Sequence, residues 1–173
     1  DRVVPDLTIY DPELTLGLPP HIAGPSGLNA MAQAVVNVTA KNRNPIVIAL
    51  ALDAVRALSK YLPIIINEPD NLEAKSAVLY GACLAGASLG TGTTRLHHRL
   101  CHTFGGSFNT PHAETHTILL PHSVAYNAAA TMEGTAQLAT AMGVENAAIG
   151  LFELAKIVGA PTALKDIGVK ESD

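Results

Sequence analysis

Residues 45–66, PIVIALALDAVRALSKYLPIII, limit what this chain can fold into. The run is too long for a strand and is apolar around most of its circumference. The turn sequence NEPDN at 67–71 closes it, so it is predicted to be a long, largely buried helix. Such a helix needs neighbours to cover it. Aromatic residues are only 4 % of the chain, and Ala, Leu and Gly dominate, which favours closely packed helices over a β-sandwich.

The flanking sequence repeats the pattern. After Ser26, a predicted N-cap, Leu28, Met31, Ala32, Val35 and Val36 recur at helical spacing. A third helix is predicted from Leu72 to Leu89, where small residues at 81, 82, 85, 86 and 88 let a neighbouring backbone approach closely. The break GTGTT (90–94) precedes a helix from about Arg95 to Thr103, which Gly105-Gly106 is expected to stop. Thr110 is the expected N-cap, and Pro111 the first position, of a helix near 112–128 that Pro121 bends or divides. Further helices are predicted at 132–142 and 146–158. DLTIYDPEL (6–14) reads as one short strand or an extended lead-in, with no partner strand elsewhere. The predicted fold class is all-α with one short N-terminal strand, and residues 1–173 form a single domain.

Composition narrows the partners. A hydrophobic content of 48 % against 15 % charged residues predicts a real core. The net charge of −4, with no basic run, argues against nucleic acid. No membrane span is expected, because charged residues, His or Pro interrupt each apolar run. Cys83 and Cys101 make no CxxC motif and read as reduced thiols, which suits a cytoplasmic protein. The N-terminus, DRVVP, is no signal peptide and lacks an initiator Met, so the chain is expected to begin inside a longer product.

The chemistry concentrates in HHRLCHTFGGSFNTPHAETH (97–116), which holds five of the seven histidines. His98 and His102 are four apart and share a helix face, and a helical corner can return His112 to them. At a helix N-terminus His112 meets the positive end of the macrodipole, which favours a neutral ring or a nearby anion. The trio suits metal ligation or acid–base chemistry. Arg99 stands where HExxH carries its glutamate, so a metalloprotease is excluded. Arg95 and Arg99, one turn apart, can hold an anionic substrate. Taken singly, His21, His97, His116 and His122 are expected to be satisfied core residues. GASLGTG fits neither GxGxxG after a strand nor a P-loop, and is expected to be a packing surface.

The segments DPELTLGLP, GPSGLNAMAQAV, LHHRLCHTFGGSFNTPHAETHTILLPH and GAPTALKDIG resemble the iron-containing alcohol dehydrogenase superfamily, and within it the maleylacetate reductases. The likeness runs through essentially all 173 residues. It implies the helical C-terminal domain of that dehydroquinate synthase-like fold, the half that carries the substrate. In metal-using relatives the ligands are an Asp and three His. The resemblance places the Asp position at Asn29, the first His at Gln33, and the others at His98 and His112, while His102 matches a further His of the active site. Two of the four positions are neutral amides, so no catalytic metal is expected. Val36 also stands where the superfamily often has Glu.

The same resemblance implies NADH or NADPH as reductant, a homo-oligomer, and reduction of maleylacetate, a small anionic carbonyl substrate, to 3-oxoadipate in aromatic breakdown. His98, His102 and His112 would then stabilise charge and deliver a proton, and Asn29, Gln33, Arg95 and Arg99 would orient carboxylates. The nucleotide-binding domain of such enzymes has no counterpart in this chain and is expected elsewhere in the full-length product or in trans. Two other readings stay open. One is a cofactor-free isomerase, dehydratase or cyclase acting on an enolisable carbonyl compound. The other is a non-catalytic module that packs on a partner.

Overall fold

The structure, a computed structural model, describes residues 6–40, 44–89 and 96–172. Seven α-helices are seen among these residues: α1 (Pro20–Val38), α2 (Pro45–Asn67), α3 (Leu72–Leu89), α4 (Leu96–Phe108), α5 (His112–Asn127), α6 (Met132–Met142) and α7 (Ala147–Ile157). Helices α1, α2 and α3 pack on one another; α5 lies on α1, α4 lies on α5, and α6 and α7 close the far side against α2 and α5. The shared core is aliphatic, with Leu28, Met31 and Val35 meeting Leu58, Leu62, Leu120, Leu138 and Leu151. This matches the all-α class.

Sequence chemistry explains the ends that matter. Asn44 caps α2, its side chain accepting from the amides of Ile46 and Val47 at 2.9 and 3.4 Å, and Pro45 takes the first turn. Asn71 caps α3 through the amide of Ala74 at 2.9 Å. The small residues of α3 behave in part as expected. A Cβ on Gly81 would come within 2.8 Å of Leu58, whereas Gly86 faces open space. The Asn37 amide nitrogen donates to the Ser88 carbonyl and to its hydroxyl at 3.0 and 3.1 Å, tying α1 to α3.

Four expectations are corrected. No strand occurs among the described residues: 6–11 are irregular, and Asp11 accepts from the amide of Glu13 to start a 3₁₀ turn at Glu13–Thr15. An alternating segment with no second strand to pair with has nowhere to place its backbone hydrogen bonds. Helix α1 starts at Pro20, six residues before Ser26, because Pro19 is extended and Pro20 is preset for the first turn; Pro25 is carried inside the helix and buried. Helix α4 runs through Gly105-Gly106 to Phe108, with Phe104 and Phe108 packing at 5.6 Å across the two glycines. It ends where Asn109 turns left-handed (φ 52°). Helix α5 starts at His112 with Pro111 as its N-cap residue, one place later than expected, and passes through Pro121 without dividing. Residues 90–94 and Arg95 lie outside the described residues.

The stretch from Met132 to Ile157 is long and apolar enough to cross a membrane by composition. Gly143, at φ 70°, splits it into α6 and α7 of 11 residues each, too short to span. At Gly134 a Cβ would sit 2.5 Å from the carbonyl oxygen of Val38. The backbone cannot yield there as a side chain can. Gly134→Ala is therefore expected to cost about 1–3 kcal/mol, read as a lowered urea midpoint with unchanged m.

Candidate active site

Helices α4 and α5 meet as a corner that gathers all five clustered histidines. Each pair His97/Cys101, His98/His102 and His112/His116 is separated by one helical turn, so each helix presents a row of side chains to the other. The ring of His116 lies between the rest, its centroid 4.9 Å from His97, 5.1 Å from His98 and 4.4 Å from His112. His102 closes the circle at 6.4 Å from His98 and 6.3 Å from His112, with which it stacks.

Burial divides the cluster. His97, His98 and His116 are 3, 8 and 0 % exposed, whereas His102 and His112 are exposed. The inner ring nitrogens are occupied by one another: His97 Nε2 lies 3.0 Å from His116 Nδ1, and His97 Nδ1 lies 3.2 Å from the Ser123 hydroxyl. His98 Nε2 donates to Gln33 Oε1 at 2.8 Å, which joins α4 to α1. Four buried side-chain atoms among the described residues have no protein partner: His98 Nδ1, His116 Nε2, Asn29 Oδ1 and, on α2, Ser59 Oγ. Asn29 and Gln33 are four apart on α1, so Asn29 lies one helical turn from the residue that holds His98.

Electrostatics follow burial. Burial pulls His97 down to about 3, reinforced by His116 and His98. Burial likewise takes His116 to about 3, with His112, His98 and His102 adding to the effect. His98 is lowered by burial, then by His102 and His112. The inner wall is therefore neutral at physiological pH. Stability should depend on this. Since the unperturbed value is 6.5 and the folded value about 3, the unfolded chain binds more protons between those limits. Stability from these rings is full above pH 6.5 and is lost as the pH falls toward about 3. Urea unfolding between pH 7 and 4 checks this, and a flat profile contradicts it.

His97, Cys101 and His116 also bring ligand-capable atoms within 4.8 Å of one another. Burial pushes the Cys101 thiol up to about 12, so it keeps its proton, and its sulfur sits 3.7 Å from His97 Nε2. These three side chains form a hydrogen-bonded core group.

The expected site residues separate clearly. His98, His102 and His112 are brought together, and Gln33 joins them through His98. Asn29 is half-buried one turn from Gln33. Arg99 is exposed on α4, with no salt bridge among the described residues. Arg95 falls outside the described residues. His97 and His116 are buried as expected, yet they belong to the cluster that a one-by-one reading kept them out of. His21 and His122 are exposed, against the expectation of core positions, because they lie on the outward faces of α1 and α5.

A helical domain with a histidine-lined corner between two of its helices defines the class, and the sequence comparison agrees. Residues 24–173 match the model of the Fe-containing alcohol dehydrogenase family, C-terminal, and the chain belongs to that family. It is 50 % identical to a maleylacetate reductase of Pseudomonas sp. (strain P51) over 172 residues, covering 99 % of this chain and 49 % of that protein. The crystal structure of maleylacetate reductase from Rhizobium sp. strain MTP-10005 superposes with a TM-score of 0.94 at 46 % identity, over 99 % of this chain and 49 % of that one. A sulfoacetaldehyde reductase from Bifidobacterium kashiwanohense, solved in complex with NAD+, matches at 0.83 and 28 % identity, over 94 % of this chain and 44 % of that one. The chain thus spans about half the length of the relatives it matches.

Proposed function

We propose that residues 1–173 are the helical, substrate-bearing half of an NAD(P)H-dependent maleylacetate reductase, working without a catalytic metal in the cytoplasm. The observation that carries this is the histidine corner: a neutral inner wall tied to Gln33, faced by two solvent-reachable imidazoles. Likeness to maleylacetate reductases over nearly the whole chain supports the substrate.

The donor set speaks against an iron or zinc ion at the positions that metal-using relatives employ. Asn29 and Gln33 are neutral amides where a carboxylate and an imidazole are needed, and His98 Nε2 is already committed to Gln33 Oε1 at 2.8 Å. These residues do not fit a tightly held divalent cation. No step runs through one.

A nicotinamide dinucleotide, when bound, would supply hydride to the carbon β to the ketone; the enolate so left would take a proton at its α-carbon to give 3-oxoadipate. The chain spans about half the length of its relatives, which supports placing the dinucleotide phosphates on a nucleotide-binding domain in the remaining half. The exposed Leu7 and Ile9 (77 and 79 %) give the lead-in an apolar surface on which such a domain can close. Within this chain, N–H groups of His102 and His112 stabilise the charge that develops on the enolate oxygen, while His98, expected from the sequence as a third donor, has its single N–H held by Gln33 and lines the wall behind them. His112 or His102, open to solvent, hands over the proton. The uncapped N-terminus of α5, beside His112, and Arg99 on α4 attract the substrate carboxylates, with the amides of Asn29 and Gln33 at the inner end.

Binding tests the substrate assignment. Titrating maleylacetate into the ¹⁵N-histidine-labelled chain is expected to shift the ring signals of His98, His102 and His112 and leave those of His21 and His122 in place. Shifts absent from the first three, or shared equally by all, would remove the assignment.

A further inference from the structure

The buried pair His97 and His116 has no part in the chemistry above, yet its hydrogen bonds have a direction that can be followed atom by atom. The Ser123 hydroxyl donates to the Leu120 carbonyl at 2.9 Å, so its single hydrogen is spent. Toward His97 Nδ1, 3.2 Å away, it can only accept, and His97 therefore carries its hydrogen on Nδ1. Neither buried ring has a carboxylate partner among the described residues, so each is neutral and has one bare nitrogen. On His97 the bare atom is Nε2. It lies 3.0 Å from His116 Nδ1, which must then donate. That leaves His116 Nε2 unprotonated, and it is a buried atom without a protein partner.

We propose that Ser123, His97 and His116 are positioning residues: a hydrogen-bond chain running from the Leu120 carbonyl that locks the central ring of the cluster in its Nδ1–H tautomer, with its Nε2 lone pair left for the site. The inference deepens the reductase reading and rests on it for the role of the outer rings. His98 and His112 pack against His116, at 5.1 and 4.4 Å. Through its Nε2 the ring between them can accept a hydrogen bond and cannot give one. An N–H of His112 that turns inward finds an acceptor there, which fixes the orientation of the edge that His112 shows to substrate. This is the relation of a catalytic imidazole to the group that orients it, with a neutral ring in place of a carboxylate. Cys101, whose thiol sits 3.7 Å from His97 Nε2, supplies a weak second donor to the same bare atom and reinforces the direction of the chain.

The tautomers can be read without substrate, from long-range ¹H–¹⁵N correlations of the ring nitrogens in the ¹⁵N-histidine-labelled chain. The expected result is Nδ1–H on both His97 and His116, with Nε2 bare on each. Ser123→Ala removes the acceptor that sets the direction and is expected to give a mixture of tautomers on both rings, while Ser123→Thr restores the single form. Nε2–H on His116 in the wild-type chain overturns the proposal. So does a tautomer of His116 that Ser123→Ala leaves unmoved. If Ser123→Ala fails to fold, the wild-type spectrum and the Thr variant still decide. Because no substrate is involved, these spectra separate the hydrogen-bond chain from the reductase reading: failure of maleylacetate to bind leaves the tautomers standing, and failure of the tautomers leaves maleylacetate binding untouched.

Discussion

Replacing His112 with Asn in an enzyme that joins this chain to its nucleotide-binding domain is expected to lower kcat for maleylacetate reduction by about 10²–10⁴, the usual contribution of a positioned proton donor. Several features single out this ring. It opens α5, so its backbone stands where the helix gathers unpaired amides, and an anionic substrate drawn to that end lies beside it. It is exposed, so truncating it removes little packing, and its removal should leave the unfolding free energy from urea titration within about 0.5 kcal/mol of wild type. It also packs at 4.4 Å on a neutral ring, which holds it in place without charging the wall behind it. Stopped-flow loss of NADH absorbance gives the rate. An effect on KM alone would assign His112 to binding and leave the proton to His102, whose ring stacks on it at 6.3 Å.

The second large effect is a gain. Asn29→Asp with Gln33→His writes the metal-using ligand set back onto a helix that already faces His98, and removes the amide that occupies His98 Nε2 at 2.8 Å. The double variant is expected to bind Zn²⁺ or Fe²⁺ more than about 100-fold more tightly than wild type, since a carboxylate and an imidazole replace two weak neutral donors. Titration calorimetry with each metal measures it. Equal affinities in the two proteins would mean that Asn29 and Gln33 are not what keeps a metal from the site.

Much of this was legible in the sequence, for local reasons. Asn44-Pro45 and Asn71 announce helix starts through side-chain caps, and the apolar runs of α2, α6 and α7 have no competing signal. His98 and His102 share a helix face by spacing alone, and Gln33 emerged from the likeness to a known motif. The failures are equally physical. Ser26 looked like an N-cap, but α1 starts at Pro20 and carries the buried Pro25 inside it. Gly105-Gly106 looked like a stop, yet the Phe104–Phe108 pair bridges them and the left-handed turn falls on Asn109. The missed hub of the site is His116. It was judged singly, although it stands one turn from His112 just as His102 stands from His98. That repeated spacing on two facing helices was the signal available. What spacing could not give is burial, which makes the inner rings neutral and divides one histidine-rich stretch into a wall and a working edge.

The most direct measurement follows the carbon skeleton. Maleylacetate is incubated with this chain joined to a nucleotide-binding domain of a maleylacetate reductase, with and without NADH and after exhaustive chelation, and products are read by ¹³C NMR. The expected result is 3-oxoadipate only when NADH is present, at a rate that chelation does not change. Conversion without NADH, or a rate abolished by chelation and restored by a divalent metal, would contradict a metal-free reductase half built around this histidine corner.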